Sequence, residues 1–164
     1  MQAPATVRQE QTHPECVLRQ AETADAEAVY EIRNDPTARA SSRTQETILL
    51  EDHLRWFEKH YFSGSGHLCY VLTLEQRVIG YCRFDRRSTG GFNLSIAIAP
   101  SCRGRGMGRF LLKESLARIT TQEEIYAEVF TFNQASRALF EKCAFVLDQE
   151  SDGVLFFRRP AISL

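Results

Sequence analysis

No run of about 18 apolar residues occurs in this 164-residue chain, so no segment predicts a membrane-spanning helix. Nothing in it reads as a secretory signal peptide either. An excess of one charge is missing as well. Twenty Lys and Arg face 21 Asp and Glu, and a net charge of −1 supplies no overall field for nucleic acid or membrane. The five cysteines (Cys16, Cys69, Cys82, Cys102, Cys143) form no C-x-x-C pair. That removes a zinc knuckle and a disulfide framework and leaves reduced thiols, cytoplasmic in expectation, with no metal site. Repeats, low-complexity tracts and long linkers are absent. What remains is 43% hydrophobic and 25% charged, at a length that favours one domain. Residues 1–14 are polar and aperiodic, so a flexible terminus is expected there and a single domain over 15–164.

The periodicity along the chain is mixed. "CVLRQA" (16–21) reads as a strand, and Thr23 is placed to cap a helix that stops before Pro36. Thr47 opens a second predicted helix, with Leu50, Leu54, Phe57 and Tyr61 at helical spacing. "LCYVLTL" and "VIGYCRFDRR" predict a hairpin around Glu75-Gln76-Arg77. "FNLSIAIA" alternates, with Phe92, Leu94, Ile96 and Ile98 on one face. A helix follows from about Met107 to Thr120, then strand 125–130, helix 133–143 and two closing strands. The order β-α-α-β-β-β-α-β-α-β-β predicts an α/β fold: one mixed, mostly antiparallel sheet of six to seven strands with helices on both faces.

Arginines cluster at 83, 86 and 87 and at 103, 105 and 109. Such a patch in a neutral protein suits a small anionic ligand better than a polymer. In "SCRGRGMGRFLLKESL" three glycines alternate with Arg and Met just before a helix. A helix N-terminus presents unpaired N–H groups, and glycines let a phosphate approach them. A Walker loop needs a Lys followed by Ser or Thr, which is lacking. A dinucleotide loop needs a third glycine where Arg109 stands.

"R-G-R-G-M-G" after the strand ending "IAIAP" resembles motif A of the GNAT superfamily of acyl-CoA N-acetyltransferases, R/Q-x-x-G-x-G/A. Arg103, Gly106 and Gly108 take its defined positions. "NQASRALFEKCAF" (133–145) resembles the family's second landmark, N-x-x-S/A-x-x-L-Y-E-K-x-G-F. The resemblance implies a sheet splayed between the fourth and fifth strands and acetyl-CoA as cosubstrate. Its pyrophosphate would rest on the backbone of Arg103, Gly104, Arg105, Gly106, Met107 and Gly108. Its pantetheine would lie along Ile96, Ala97 and Ile98, with Asn133 bonding it and Phe140 beside it. It also implies direct acetyl transfer to a primary amine. Departures stand out: Phe140 occupies the place of the usual tyrosine acid, and Ala144 that of a glycine. Ser136 and Cys143 flank Phe140 on its helix; Cys102 has no paired histidine and reads as packing.

A backbone N–H near Ile98 is the candidate for polarising the thioester carbonyl. Glu128 is the first candidate for general base, with salt bridging its competing role; His53 and His60 are further candidates, weighted toward packing. For the acceptor, "RND" (33–35), Arg39 and "EDHLRWFEK" resemble GNAT enzymes that acetylate nucleotide-linked amino sugars of the pseudaminic-acid type. That resemblance assigns Arg33, Asn34, Trp56 and Tyr81 to substrate, with Arg39 and Arg43 pairing phosphates. A peptide N-terminal amine and a non-catalytic acyl-CoA-binding module remain alternatives. The expected partners are acetyl-CoA and a small amine, with no nucleic acid or membrane; a homodimer is allowed.

Overall fold

The computed structural model describes residues 15–119 and 122–161. The terminus at 1–14 and the predicted helix end at Thr120 lie outside them. Seven strands form one sheet: β1 (Cys16–Gln20), β2 (Leu68–Leu74), β3 (Arg77–Arg86), β4 (Phe92–Ile98), β5 (Ile125–Phe130), β6 (Val146–Ser151) and β7 (Val154–Arg159). Their order is β1-β2-β3-β4-β5-β7-β6. Every neighbouring pair is antiparallel except β4–β5. The helices are α1 (Ala26–Arg33), α2 (Pro36–Ala40), α3 (Leu50–Phe62), α4 (Met107–Arg118) and α5 (Gln134–Lys142).

Alternation along the strands makes two cores. On one face Phe84, Phe92, Leu94 and Ile98 pack with Leu111, Leu112 and Leu116 of α4 and Phe140 of α5. On the other, Val71 and Tyr81 pack with Ala26, Val29 and Ile32 of α1 and Phe57 of α3. Phe57 is fully buried, so Phe57→Ala should cost about 3–5 kcal/mol.

Local details differ from the sequence reading where side chains outbid propensity. Thr23 does not cap α1. It starts a 3-10 turn, Thr23–Asp25, closed by a Glu22/Asp25 capping box. The Asp25 carboxylate accepts from the Glu22 N–H and from two Arg19 nitrogens, at 2.6 and 2.8 Å. Pro36 ends α1 as expected, but it also opens α2, because Asp35 caps the Thr37 and Ala38 N–H groups. Helix α3 begins at Leu50, three residues after Thr47. The approach to it is pinned in place: Ile48 donates its N–H to Asn34 Oδ1 and accepts at its carbonyl from the Tyr30 hydroxyl. The β2–β3 turn uses only Glu75 and Gln76, both at positive φ, and Arg77 already belongs to β3.

Candidate active site

The β4–β5 pairing is the root of the site. It holds for only two residue pairs, Phe92↔Ile125 and Asn93↔Tyr126, before the strands diverge. The direction of the exposed edge follows from two bonds. Phe92 donates its N–H toward β5, to Glu124 O, while Ala99 donates the other way, to Ile79 O. By strand alternation the N–H groups of Ile96 and Ile98 share the side of Phe92 and open onto the gap. The gap is a cleft of about 1120 Å³.

The glycine loop forms one end of the cleft. Gly104 and Gly106 sit at φ +75° and +76°, which favours glycine, and a Cβ at either would meet nothing within 4 Å. Gly106 is the residue before α4, and the first turn of that helix leaves the Met107, Gly108 and Arg109 N–H groups without helical partners. Gly104, Gly106, Met107 and Gly108 line the cleft. Arg103 is engaged within the protein. Its N–H turns to Pro100 O, its Nε donates to Ile98 O at 2.9 Å, and its guanidinium bonds Asp35 at 3.2 Å. Arg105 does not line the cleft.

Across the gap Asn133 and Phe140 line the α5 side. Asn133 caps α5 by accepting the Ser136 N–H. Phe140 is 3% exposed and packs edge-on against Phe145. Glu128 projects from β5 into the cleft, with 43% of its side chain exposed, and ion-pairs with Arg43 from the loop before α3.

The other end of the cleft is built on β3. Tyr81, Arg83 and Asp85 share a strand face and oppose Ala97, Ser95 and Asn93 of β4, and all six line the cleft. Arg33 at the end of α1 joins them. Asn34 and Trp56, which the sequence resemblance assigned to substrate, do not line it. The Asn34 amide is used within the protein, donating to the Tyr30 hydroxyl and accepting from Ile48. Trp56 lies beneath two guanidiniums, Arg33 at 4.4 Å and Arg83 at 5.2 Å from its ring centroid. Arg39 is turned to the Asn34 and Gln45 carbonyls.

Both helix histidines lie outside the cleft lining. His53 is 1% exposed, with Nε2 2.8 Å from Ala26 O. Burial, followed by the charges of Arg33 and Arg83, pulls it down to about 4 despite that bond. It is therefore neutral at pH 7 and donates to the Ala26 carbonyl. His60 bonds Asp85 at 2.8 Å and stacks on His67. The burial of Cys102 and Cys143 agrees with a packing role.

Sequence reasoning put Arg83 in a cationic cluster but gave it no place among the site residues. The available signal was strand alternation from Tyr81, which puts Arg83 and Asp85 on the same face. The Asp35–Arg103 and Arg43–Glu128 bridges span 68 and 85 residues of sequence and left no local signal.

A sheet split beside an open glycine cradle defines a CoA-dependent N-acetyltransferase architecture. The family follows from comparison: residues 16–146 match the family model described as "Acetyltransferase (GNAT) domain", and the chain belongs to that family. A Bacillus subtilis (strain 168) protein named "Putative phosphinothricin acetyltransferase YwnH" is 35% identical over 140 residues, covering 78% of this chain and 82% of its own. A phosphinothricin acetyltransferase from Sinorhizobium meliloti, solved with acetyl-CoA, superposes with a TM-score of 0.76 at 24% identity, over 89% of this chain and 88% of that one. The Salmonella typhimurium protein yncA, also solved with acetyl-CoA, gives 0.77 at 23% identity, over 92% and 96%. These two likenesses speak for the fold. Among the described residues no helix is long and apolar enough to cross a membrane.

Proposed function

We propose that this protein moves the acetyl group of acetyl-CoA to the primary amine of a small acceptor by direct attack. The observation that carries the proposal is the β4 edge at Ile96 and Ile98, opened by the loss of β5 beside the Gly104–Gly108 cradle. The residues present fit acetyl-CoA. Open glycines at positive φ and a helix N-terminus suit a pyrophosphate. The bare strand edge suits an amide-bearing arm that pairs as an added strand. Bound there, acetyl-CoA supplies the activated thioester.

The residues of the chain would divide the remaining work. The Ile98 N–H polarises the carbonyl that is attacked. Glu128 receives the amine proton, directly or through one water, and Arg43 holds its carboxylate in place. Asn133 keeps the start of α5 against the pantetheine path. Phe140 donates nothing, so the thiolate leaves with solvent as its proton source; a thiol with an ordinary pKa near ~8.5 tolerates this.

The acceptor end supports a small anionic amine. Arg33, Arg43 and Arg83 line it beside Asp85 and Glu128, so it is not the open, acidic groove that a peptide amine would favour. Phosphinothricin, in the names of two relatives, is one such amine. A nucleotide-linked amino sugar is a second reading, favoured by the same arginines facing a pyrophosphate. The position of Trp56 beneath the guanidiniums removes it as the base-stacking surface.

Thiol release from acetyl-CoA, measured over amino acids, peptides and UDP-linked 4-amino sugars, tests the function. Acetylation of at least one primary amine is expected. Tight acetyl-CoA binding with no turnover across the panel would replace the enzyme with a binding module.

A further inference from the structure

Arg33, Arg43, Arg83, Arg103 and Arg109 line this cleft. Arg109 lies in the first turn of α4 at the glycine loop, and Arg43 and Arg103 are already engaged, as is Arg39 beside the cleft. Arg43 is held by Glu128, Arg103 by Asp35 and the Ile98 carbonyl, and Arg39 by backbone carbonyls. Arg33 and Arg83 differ. Arg33 has no ion-pair partner among the described residues; its nearest polar contact is His53 Nδ1 at 3.5 Å. Arg83 meets the neutral Tyr61 hydroxyl, and its carboxylate neighbour Asp85, no nearer than 3.6 Å, already accepts from His60 and Tyr61. The Arg83 Nε atom is buried without a hydrogen-bond partner. A buried unpaired donor is costly, and a guanidinium is the group whose pairing with an oxyanion recovers most.

The two side chains are also held in place together. Both guanidiniums lie over the indole of Trp56, and both face the cleft. The indole is fixed from below by His53, His60 and Tyr61. Arg33 is pulled below its usual range by burial and then by the charge of Arg83. Two cations crowded on one ring, with one shared-out acid between them, leave an excess of positive charge facing the cleft.

We infer that Arg33 and Arg83, seated on Trp56, form a subsite for an oxyanion of the acceptor, so that the preferred substrate is an amine carrying a carboxylate or a phosphorus oxyacid. This rests on the acetyltransfer reading and narrows its acceptor. The subsite sits on the β3–α1 side of the cleft, across the β4 edge from the thioester path. An acceptor anchored there by its acid presents its amine toward β4 and Glu128. Ser95, cross-strand from Arg83, is the nearest neutral hydrogen-bonding side chain in register.

The experiment has two arms. The first measures kcat and KM for matched acceptors: L-phosphinothricin, L-glutamate, 2-aminoethylphosphonate, and the carboxamide of each amino acid. A preference for acid over amide is expected. In Arg83→Gln and Arg33→Gln the acid-over-amide ratio of kcat/KM should fall about 10- to 100-fold, mostly through KM. Arg83→Lys should recover part of it, since it restores charge without the fork. The carboxylate and phosphonate acceptors separate the two oxyanion sources. Equal losses on acid and amide partners, or no acid preference in the wild type, would overturn the inference.

The second arm needs no turnover. Trp56 is the only tryptophan of the chain, so fluorescence excited selectively at tryptophan, away from the five tyrosines, reports on the subsite. Titration with inorganic phosphate and with succinate should give a saturable change in the wild type and in folded Arg83→Lys, and none in Arg83→Gln. Absence of that change in the wild type counts against the subsite. Saturation without acetylation of any amine would keep the subsite and remove the acetyltransfer reading.

Discussion

The two ends of the cleft are made from different materials. The donor end, from Ile96 through Gly108 to Asn133, works through backbone: strand-edge N–H groups, a helix terminus and glycines at positive φ. The acceptor end, from Arg33 to Asp85, works through side chains stacked on side chains. A backbone site tolerates almost any neighbour but demands glycine where φ is positive, as at Gly104 and Gly106. A side-chain site tolerates many sequences but depends on register and on what lies beneath each group. In the proposed reading the donor end is thus generic and fixed, and the acceptor end sets specificity.

Mutations that act on one end and spare the other test this division. Glu128→Gln should lower kcat by roughly 10²–10⁴ while acetyl-CoA affinity, read by calorimetry, stays put. A parallel loss of acetyl-CoA binding would mean that the two ends are not separable. The next effect concerns His53, the neutral support under Arg33. Its folded-state pKa of about 4 lies below the ordinary ~6.5 of an unfolded chain. Its contribution is fully present above pH 6.5 and drains away as pH falls toward 4, by up to ~3 kcal/mol. Thermal melts between pH 7 and 4 should show this fall, and His53→Gln should flatten it. Gly106→Val forces a branched residue to φ +76°, a strain of about 1–3 kcal/mol. It should weaken acetyl-CoA binding about tenfold or more and leave the acid-over-amide preference intact. The smallest change is expected from Phe140→Tyr. A hydroxyl there should raise kcat by less than the ~10² of a well-placed acid, because Phe145 and Phe157 hold the ring in the core. A fall in kcat would remove the missing-acid account.

The same division explains what was legible in the sequence. The glycine loop could be read because its physical demand, open backbone at a helix start, falls on consecutive residues. Strand β4 was readable from its alternation, and the split beside it from the family resemblance. At the proposed acceptor end two residues are placed differently from the sequence expectation. Asn34 looked like a ligand and instead braces Ile48; Trp56 looked like a stacking wall and instead seats two guanidiniums. Nothing local distinguishes a tryptophan above an arginine from one below it. Arg43 and Glu128 are 85 positions apart, and only the finished sheet brings them together.

The brevity of the β4–β5 ladder has a mechanical meaning. Strands β1–β4 form one plate and β5–β7 another; among the described residues only two ladder pairs join them along the seam, beside the core packed across it and the Arg86–Glu123 and Arg43–Glu128 bridges. The seam is the compliant line of the molecule. Amide exchange and forced opening should begin there, while each plate stays intact. The proposed base Glu128 rides on one plate and the Ile98 N–H on the other, so a small rotation about Phe92 and Ile125 changes the gap between the proposed proton acceptor and the proposed carbonyl site. A molecule filling the gap would act as the missing rungs, and the protein should become measurably stiffer when it is loaded.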